Sequence, residues 1–171
     1  MQTIAVHDFG ATPTLTDLPE PKPDAGEVLV RVRASSVNGF DVATAAGMLK
    51  DMMEHRFPVV LGKDFAGTVE AIGAGASRFN VGDAVFGVVS KPYLGDGGLG
   101  EYVVVGEQHG IAGVPDGVDL SVAGALGLAG TAALTAVDAV RPAPGETVLI
   151  SGATGGVGAL ALQYAVARVR R

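Results

Sequence analysis

The sequence predicts a mainly β domain followed by the beginning of an α/β domain. From residue 1 to about residue 120, short extended runs alternate with Gly, Pro and Asp, which is typical of antiparallel β structure. After residue 120 the composition changes to Ala, Leu and Gly, and a helix, a strand, a glycine-rich turn and a further helix follow in order. We therefore expect one domain over residues 1–120 and part of a second over residues 121–171.

Four runs in the first part are the clearest candidate strands: Glu27 to Val37, Phe65 to Ile72, Ala84 to Val89 and Glu101 to Val105. In the first run, Arg31 and Arg33 alternate with apolar residues, as expected for a strand with one face in water. Residues 19–26 contain three prolines and are expected to form a loop, because proline cannot donate to a β ladder. Residues 94–100 are glycine-rich, which leaves two interpretations: a flexible cover over a cleft, or a loose connection between strands.

The second part is expected to contain three helices and one strand. Ser121 is the expected N-cap of the first helix, because its hydroxyl precedes an apolar run. Pro142 and Pro144 end the second helix. The predicted elements are helices over Val122 to Leu128, Thr131 to Val140 and Val157 to Ala167, with a strand over Thr147 to Ile150 before the last helix.

Composition excludes several classes of protein. The 171 residues are 48% hydrophobic with a mean hydropathy of +0.38, yet no window approaches the ~18 uninterrupted apolar residues of a membrane span. The apolar excess indicates a face that something else covers. The N-terminus lacks a basic segment and a long apolar segment, so we expect no secretory signal, no membrane partner and a cytoplasmic location.

The net charge and the absence of cysteine exclude further classes of protein and of site. A net charge of -6 and a pI near 4.9 argue against a nucleic-acid partner. Only residues 168–171 are locally basic, as is common at the end of a helix. Without cysteine, the chain has no disulfide, no thiolate zinc ligand and no cysteine nucleophile. The three histidines, His7, His55 and His109, lack the spacing of metal ligands, so we expect no metal site.

The most informative segment runs from Val148 to Gly158, where an apolar run gives way to glycines and then to a helical pattern. Glycines in such a turn let the main chain approach a pyrophosphate, whose charge is stabilised by the N-terminus of the following helix. The segment therefore predicts a dinucleotide site with these candidate binding residues: Ala153, Thr154, Gly155, Gly156, Val157 and Gly158.

The same residues allow two alternatives to a dinucleotide site. The pattern Ala153-x-Gly155-x-x-Gly158 has alanine where the strict fingerprint has glycine, so the glycines could instead serve only the packing of a tight turn. A phosphate-binding P-loop lacks its Lys and Ser or Thr here. The acidic or basic residue that distinguishes NADH from NADPH would fall about 20 positions after the turn, past residue 171, so that preference stays open.

Six segments together resemble the medium-chain dehydrogenase/reductase superfamily, and within it the zinc-independent quinone oxidoreductase, or zeta-crystallin-like, branch. They are Ser36 to Asp41, Pro58 to Gly73, Gly82 to Gly87, Gly100 to Val103, Gly130 to Ala132 and the turn Ala153 to Gly158. The resemblance covers essentially the whole chain and corresponds to the N-terminal half of the family's proteins. It implies a GroES-like β-barrel domain, the first strand and helix of an incomplete Rossmann domain, and NADPH as cofactor, with NADH not excluded.

The same resemblance implies metal-free chemistry. The zinc-dependent branch carries Cys near the Asn38 segment and His-Glu after a glycine, where this chain has Lys63 and Asp64. The implied reaction is direct hydride transfer from the nicotinamide to a quinone, an enone or a related carbonyl compound. Ala43 stands where the quinone reductases carry tyrosine, which leaves the substrate within this class open.

Two further residues acquire roles from the resemblance. Asn38 matches the family's active-site asparagine, whose amide would bond the substrate carbonyl or the nicotinamide region. Thr131 matches a threonine that contacts the nicotinamide carboxamide. Each also has a structural interpretation, Asn38 as a turn or cap residue and Thr131 as an N-cap. Asp64 and Asp83 are expected to form turn hydrogen bonds.

The leading hypothesis is therefore a truncated reductase that has little activity as this chain alone. The alternative is a non-catalytic GroES-like module with a binding or structural role. In either case the strand over Thr147 to Ile150 would present an unpaired edge, which favours formation of a homo-oligomer.

Overall fold

A computed structural model describes residues 1–169, and the chain in it divides into two units. The first unit is Met1–Gly127 and the second is Leu128–Arg171, whose last two residues lie outside the described part. Of the basic tail, Arg168 is described and pairs with Asp138, whereas Arg170 and Arg171 are not described. Among residues 1–169, no helix is both long enough and apolar enough to cross a membrane.

The first unit consists mainly of strands. They are β1 Gln2–Val6, β2 Thr14–Asp17, β3 Glu27–Ala34, β4 Glu54–His55, β5 Val59–Val60, β6 Asp64–Ile72, β7 Ala84–Val88, β8 Tyr93–Leu94, β9 Tyr102–Gly106 and β10 Ile111–Gly113, with helix α1 at Gly39–Ala45. A curled five-stranded antiparallel sheet has the order β10-β7-β6-β3-β9. A smaller sheet has the order β2-β1-β5, and β4 pairs with β8 in parallel.

The four predicted strands are confirmed as β3, β6, β7 and β9. The alternation in β3 has the expected basis: Val28 and Val30 are buried, whereas Arg31 reaches across to Glu70 of β6 with an Nη2–Oε2 distance of 2.6 Å. The strand ends at Ala34, three residues earlier than predicted, because Ser35 turns away and donates its hydroxyl to the Asp64 carbonyl.

A core of valines and two phenylalanines lies against the large sheet. It includes Val28, Val30, Phe65, Val69, Phe79, Val85, Val103 and Val105, all nearly free of solvent contact. Gly67 allows β6 to approach β3 closely, since a Cβ there would lie only 2.0 Å from the Arg31 carbonyl oxygen. The sheet therefore depends on a residue without a side chain at this position.

The glycine-rich segment over residues 94–100 lies against the first unit's own backbone. Gly97 and Gly98 are buried, and a Cβ on Gly98 would lie 2.0 Å from the Asp64 carbonyl oxygen. Gly98 N donates to the Gly62 carbonyl at 2.7 Å. The interpretation as a connection between strands is confirmed in position, since the segment joins β8 to β9, but its glycines pack closely against residues 60–65.

The helical part begins at Leu120, where the composition changes. Its helices are α2 Leu120–Ala123, α3 Gly127–Val140 and α4 Gly156–Val169. The expected N-cap at Ser121 is wrong: Asp119 caps α2 and accepts from the Ser121 N–H at 2.7 Å. The predicted helix over residues 122–128 is divided between α2, a turn and the start of α3. Since α3 begins at Gly127, Thr131 lies inside this helix and is not its N-cap.

In the second unit, α3 and α4 pack through small apolar residues, including Ala133, Val137, Ala161 and Ala165. The segment over residues 147–150 forms no strand within the described part of the chain. A strand requires a hydrogen-bonded neighbour, and residues 1–169 supply none to this segment. Leu149 is consequently 94% exposed, and a groove of about 580 Å³ lies among α3, α4 and this segment.

Candidate functional site

Asn38 occupies the N-cap position of α1, as one of its two interpretations predicts. Its backbone is extended, and its N–H donates to Asp41 Oδ2 at 2.7 Å, which forms part of a capping box. The residue is half-buried, and its side-chain amide is directed to partners away from the helix. The cap position and a binding role are therefore compatible in this residue.

The side chain of Asn38 belongs to a polar cluster with Ser36 and Asp64. Asn38 Nδ2 lies 3.0 Å from Asp64 Oδ2 and 3.2 Å from Ser36 Oγ. Ser36 Oγ also donates to Asp64 Oδ2, at 2.5 Å. These contacts satisfy a carboxylate that has no exposure to solvent, as burial of a charged group requires.

The sequence predicts turn hydrogen bonds for Asp64 and Asp83, and the structure agrees for only one of them. The expectation is wrong for Asp64, which is the first residue of β6 and whose carboxylate bonds Ser36 and Asn38. It is confirmed for Asp83, whose carboxylate accepts from the Asn80 N–H at 2.8 Å. The difference follows from position, because the chain at Asp64 is already paired with β7.

Asp41 is a further residue of this site, and sequence reasoning did not identify it. The residue is 4% exposed, and its Oδ1 accepts from the N–H groups of Gly62 and Lys63, each at 3.0 Å. With the bond to Asn38, three backbone donors converge on one carboxylate. The signal was present in the sequence as a cap residue followed three positions later by an acidic residue.

Lys63 directly precedes Asp64 of the polar cluster in the chain, and the residue is half-buried. Burial lowers its pKa, and the neighbouring Asp41 carboxylate opposes that shift. Nζ donates to the Val89 carbonyl and lies 5.2 Å from the centre of the Phe40 ring. This cation stands at one of the positions that the resemblance associates with zinc ligands in other members.

Residues 1–169 contain no group of three His, Asp or Glu side chains arranged to hold a metal ion. The histidines are separately engaged or exposed: His7 bonds the Thr16 hydroxyl at 3.1 Å, and His55 bonds the Met53 carbonyl at 2.8 Å. His109 lies at the surface.

An apolar pocket of about 490 Å³ adjoins α1 in the first unit. Val37 and Val42 line it and are 68% and 61% exposed, and Leu61 and Leu99 form part of its wall. Asp41 is its one charged lining residue. This pocket presents a mainly apolar surface close to the N-cap of α1.

In the second unit, the glycine turn leads directly into α4, as predicted. Gly152 has φ of +73°, and a Cβ on Gly158 would lie 2.1 Å from the Gly152 carbonyl oxygen. Packing therefore explains these two glycines. It does not explain Gly155 and Gly156, where a Cβ would meet nothing closer than 3.5 Å and 3.7 Å.

The backbone donors at the start of α4 are available. Within the described chain, the N–H groups of Gly156, Val157 and Gly158 have no hydrogen-bond acceptor, whereas the next, of Ala159, bonds Gly155 at 2.8 Å. Thr154 and Val157 are exposed, and Ala153 is half-buried. Such an exposed helix N-terminus is suited to bind an anion.

Thr131 lies in the same unit as this turn and is exposed. A Cβ on Gly156 would lie 3.7 Å from Ala129 Cβ, so the beginnings of α3 and α4 are adjacent. The candidate cofactor residues therefore share the second unit, and Asn38 belongs to the first.

Comparisons with known proteins agree with this architecture. The family model described as "Alcohol dehydrogenase GroES-like domain" matches residues 24–116. A "Chloroplast envelope quinone oxidoreductase homolog" from Arabidopsis thaliana is 35% identical over 157 residues, which are 86% of this chain and 46% of that protein. The chain spans about half the length of the curated relatives that it matches.

Solved structures give the same result. The quinone oxidoreductase from Coxiella burnetii matches with a TM-score of 0.86 and 30% identity over 99% of this chain and 54% of that chain. A mycobacterial protein complexed with NADPH matches with a TM-score of 0.84 and 29% identity, over 99% and 51% of the two chains. These matches confirm the predicted GroES-like fold of the β-rich part.

Proposed function

Because the chain belongs to the GroES-like alcohol dehydrogenase family of the medium-chain dehydrogenase/reductase superfamily, we propose that it contributes to a zinc-independent, NADPH-dependent reductase. The reaction is transfer of a hydride from C4 of the dihydronicotinamide to a quinone, an enone or a related carbonyl compound, with a proton completing the reduction. Quinone oxidoreductases among its relatives support this class of substrate.

The observation that carries the proposal is the set of free backbone donors at the start of α4. Gly156, Val157 and Gly158 present N–H groups at an exposed helix N-terminus, where the pyrophosphate of NADPH would bind. Gly155 and Gly156 leave room for that approach and have no packing role that requires glycine. Ala153 and Thr154 would border the same site, and Thr131 on the neighbouring helix would contact the carboxamide.

In the first unit, the proposal assigns substrate contact to Asn38 and the apolar pocket beside α1. The pocket would bind the flat apolar part of the acceptor, and Asn38 would contact its polar part or the nicotinamide. Lys63 and Asp64 replace the ligands of a catalytic zinc, so the enzyme would align its reactants without a metal.

We expect Gly156→Asp to weaken NADPH binding at least about tenfold, because its carboxylate would repel the pyrophosphate. The substitution should not destabilise α4, because a negative charge at a helix N-terminus interacts favourably with the helix dipole. Titration followed by NADPH fluorescence measures this, with NADH as the second ligand. Gly113→Asp on β10, where a side chain meets nothing within 4 Å, is the matched control and should bind like the wild type. Absence of saturable binding by the wild-type chain would contradict the proposal and favour the non-catalytic module.

The exposed segment around Leu149 supports a second proposal, that the chain forms a homo-oligomer through this edge. Leu149→Lys should lower the average mass measured by sedimentation, because it places a charge on the proposed interface. A wild-type chain that stays monomeric at high concentration would contradict this. We propose a cytoplasmic location and small-molecule ligands, with neither nucleic acid nor membrane as partner.

A further inference from the structure

The positions of hydrogen atoms around Asn38 determine whether the nitrogen or the oxygen of its side-chain amide is available to a ligand. The Ser36 hydroxyl has a single hydrogen, which it donates to Asp64 Oδ2 at 2.5 Å. Ser36 Oγ can therefore only accept a hydrogen from Asn38, and the atom that faces it at 3.2 Å must be the amide nitrogen. The Asp64 carboxylate only accepts and requires the same orientation at 3.0 Å.

The reverse orientation of the amide is unfavourable. It would place Asn38 Oδ1 opposite two oxygen atoms that have no hydrogen to give it, one of them on a buried carboxylate. Both N–H groups of Asn38 are thus used within the protein. Its Oδ1 retains acceptor capacity, because the nearby N–H of Asp41 in the capping box takes at most one of its two lone pairs.

We propose that Asp64 and Ser36 engage the amide nitrogen of Asn38 and leave its carbonyl oxygen as the atom that meets a ligand, so that Asn38 selects a group carrying an N–H or O–H donor. This inference rests on the proposed function and specifies one of its contacts. Asn38 would bind a primary carboxamide or a hydroxyl group, as of a hydroquinone, and would not donate to the carbonyl oxygen of an unreduced quinone. Asp64 and Ser36 are positioning residues, because they act on the ligand through Asn38.

The orientation is testable because the chain has only two asparagines, Asn38 and the exposed Asn80. In protein labelled with nitrogen-15 asparagine, the side-chain hydrogens of Asn38 should exchange with solvent at least about tenfold more slowly than those of Asn80. Ser36→Ala should lower this protection severalfold. Ser35→Ala is the matched control, because its hydroxyl bonds the Asp64 main chain and not Asn38. Equal exchange at the two asparagines would overturn the orientation.

The selection of a donor is tested with two pairs of probes, in each of which one member carries an N–H or O–H donor and the other has a methoxy group in its place. Nicotinamide is compared with methyl nicotinate, and hydroquinone with its dimethyl ether, by following the Asn38 resonances. In at least one pair, the compound that carries the donor should bind about threefold to tenfold more tightly than the compound without it, as expected for one hydrogen bond. The pair that discriminates identifies cofactor or substrate as the source of the donor.

Equal or reversed affinities in both pairs, or no response of Asn38 to any probe, would overturn the inference. These measurements report on the first unit, whereas NADPH binding and its loss in Gly156→Asp report on the turn before α4. A chain that discriminates the probes and fails to bind NADPH would therefore contradict the proposed cofactor and leave the polarity of Asn38 intact.

Discussion

Replacement of Gly67 by alanine is expected to destabilise the first unit by at least about 3 kcal/mol. The new methyl group would lie 2.0 Å from the Arg31 carbonyl oxygen and 2.8 Å from its carbonyl carbon, both of which are backbone atoms in the neighbouring strand. Relief of this overlap requires β3 and β6 to separate, which breaks ladder bonds in the middle of the sheet. Urea denaturation followed by circular dichroism measures the loss.

Gly106→Ala is the matched control for this change. Gly106 ends β9 in the same sheet, and a Cβ there would meet nothing within 4 Å. Its variant should unfold within about 0.5 kcal/mol of the wild type. If Gly67→Ala were equally neutral, β3 and β6 would not approach each other as closely as the 2.0 Å distance requires.

Asp41→Ala is expected to cost about 3 to 5 kcal/mol, because three backbone N–H groups lose their acceptor. Those of Gly62 and Lys63 bond Oδ1, and that of Asn38 bonds Oδ2. The carboxylate is buried, so water does not replace it readily. Asp41→Asn keeps one carbonyl oxygen and should lose less stability than the alanine variant.

Asp51→Ala provides the comparison, since Asp51 is an exposed aspartate a short distance along the chain. Its replacement should change the free energy of unfolding by no more than about 0.5 kcal/mol. The midpoints of the urea transitions of the three variants and the wild type decide the matter. A loss for Asp41→Ala no greater than that for Asp51→Ala would show that Asp41 does not join α1 to residues 62–63.

Much of the fold was predictable because it depends on local patterns. The alternation around Arg31 and the apolar run after Asp64 both predict strands, and the glycines before α4 predict a turn between a strand and a helix. The failures have tertiary causes. The strand at Thr147 to Ile150 required a partner that residues 1–169 do not supply, and the glycines at 97 and 98 permit packing that no local signal reveals.

The candidate site was predictable in part for a similar reason. Asn38 and Thr131 were identified through resemblance, and their binding roles stay predictions. The bond between Asn38 and Asp64 spans 26 positions, so residue spacing alone could not reveal it. Asp41 was accessible as a capping residue, yet its contacts with Gly62 and Lys63 depend on the turn at Gly62, whose φ is +98°.

The bonds to the Asn38 side-chain amide come from Ser36 and Asp64, and those to its backbone come from Asp41 and Val42. All of these residues lie between positions 36 and 64 of the first unit. The orientation of the amide would therefore be inherited intact if this stretch were joined to a different nucleotide-binding domain. In a chimeric reductase, the parent that supplies the β-rich half should determine whether Asn38 accepts or donates a hydrogen bond. The parent that supplies the nucleotide-binding half should determine the preference for NADH or NADPH.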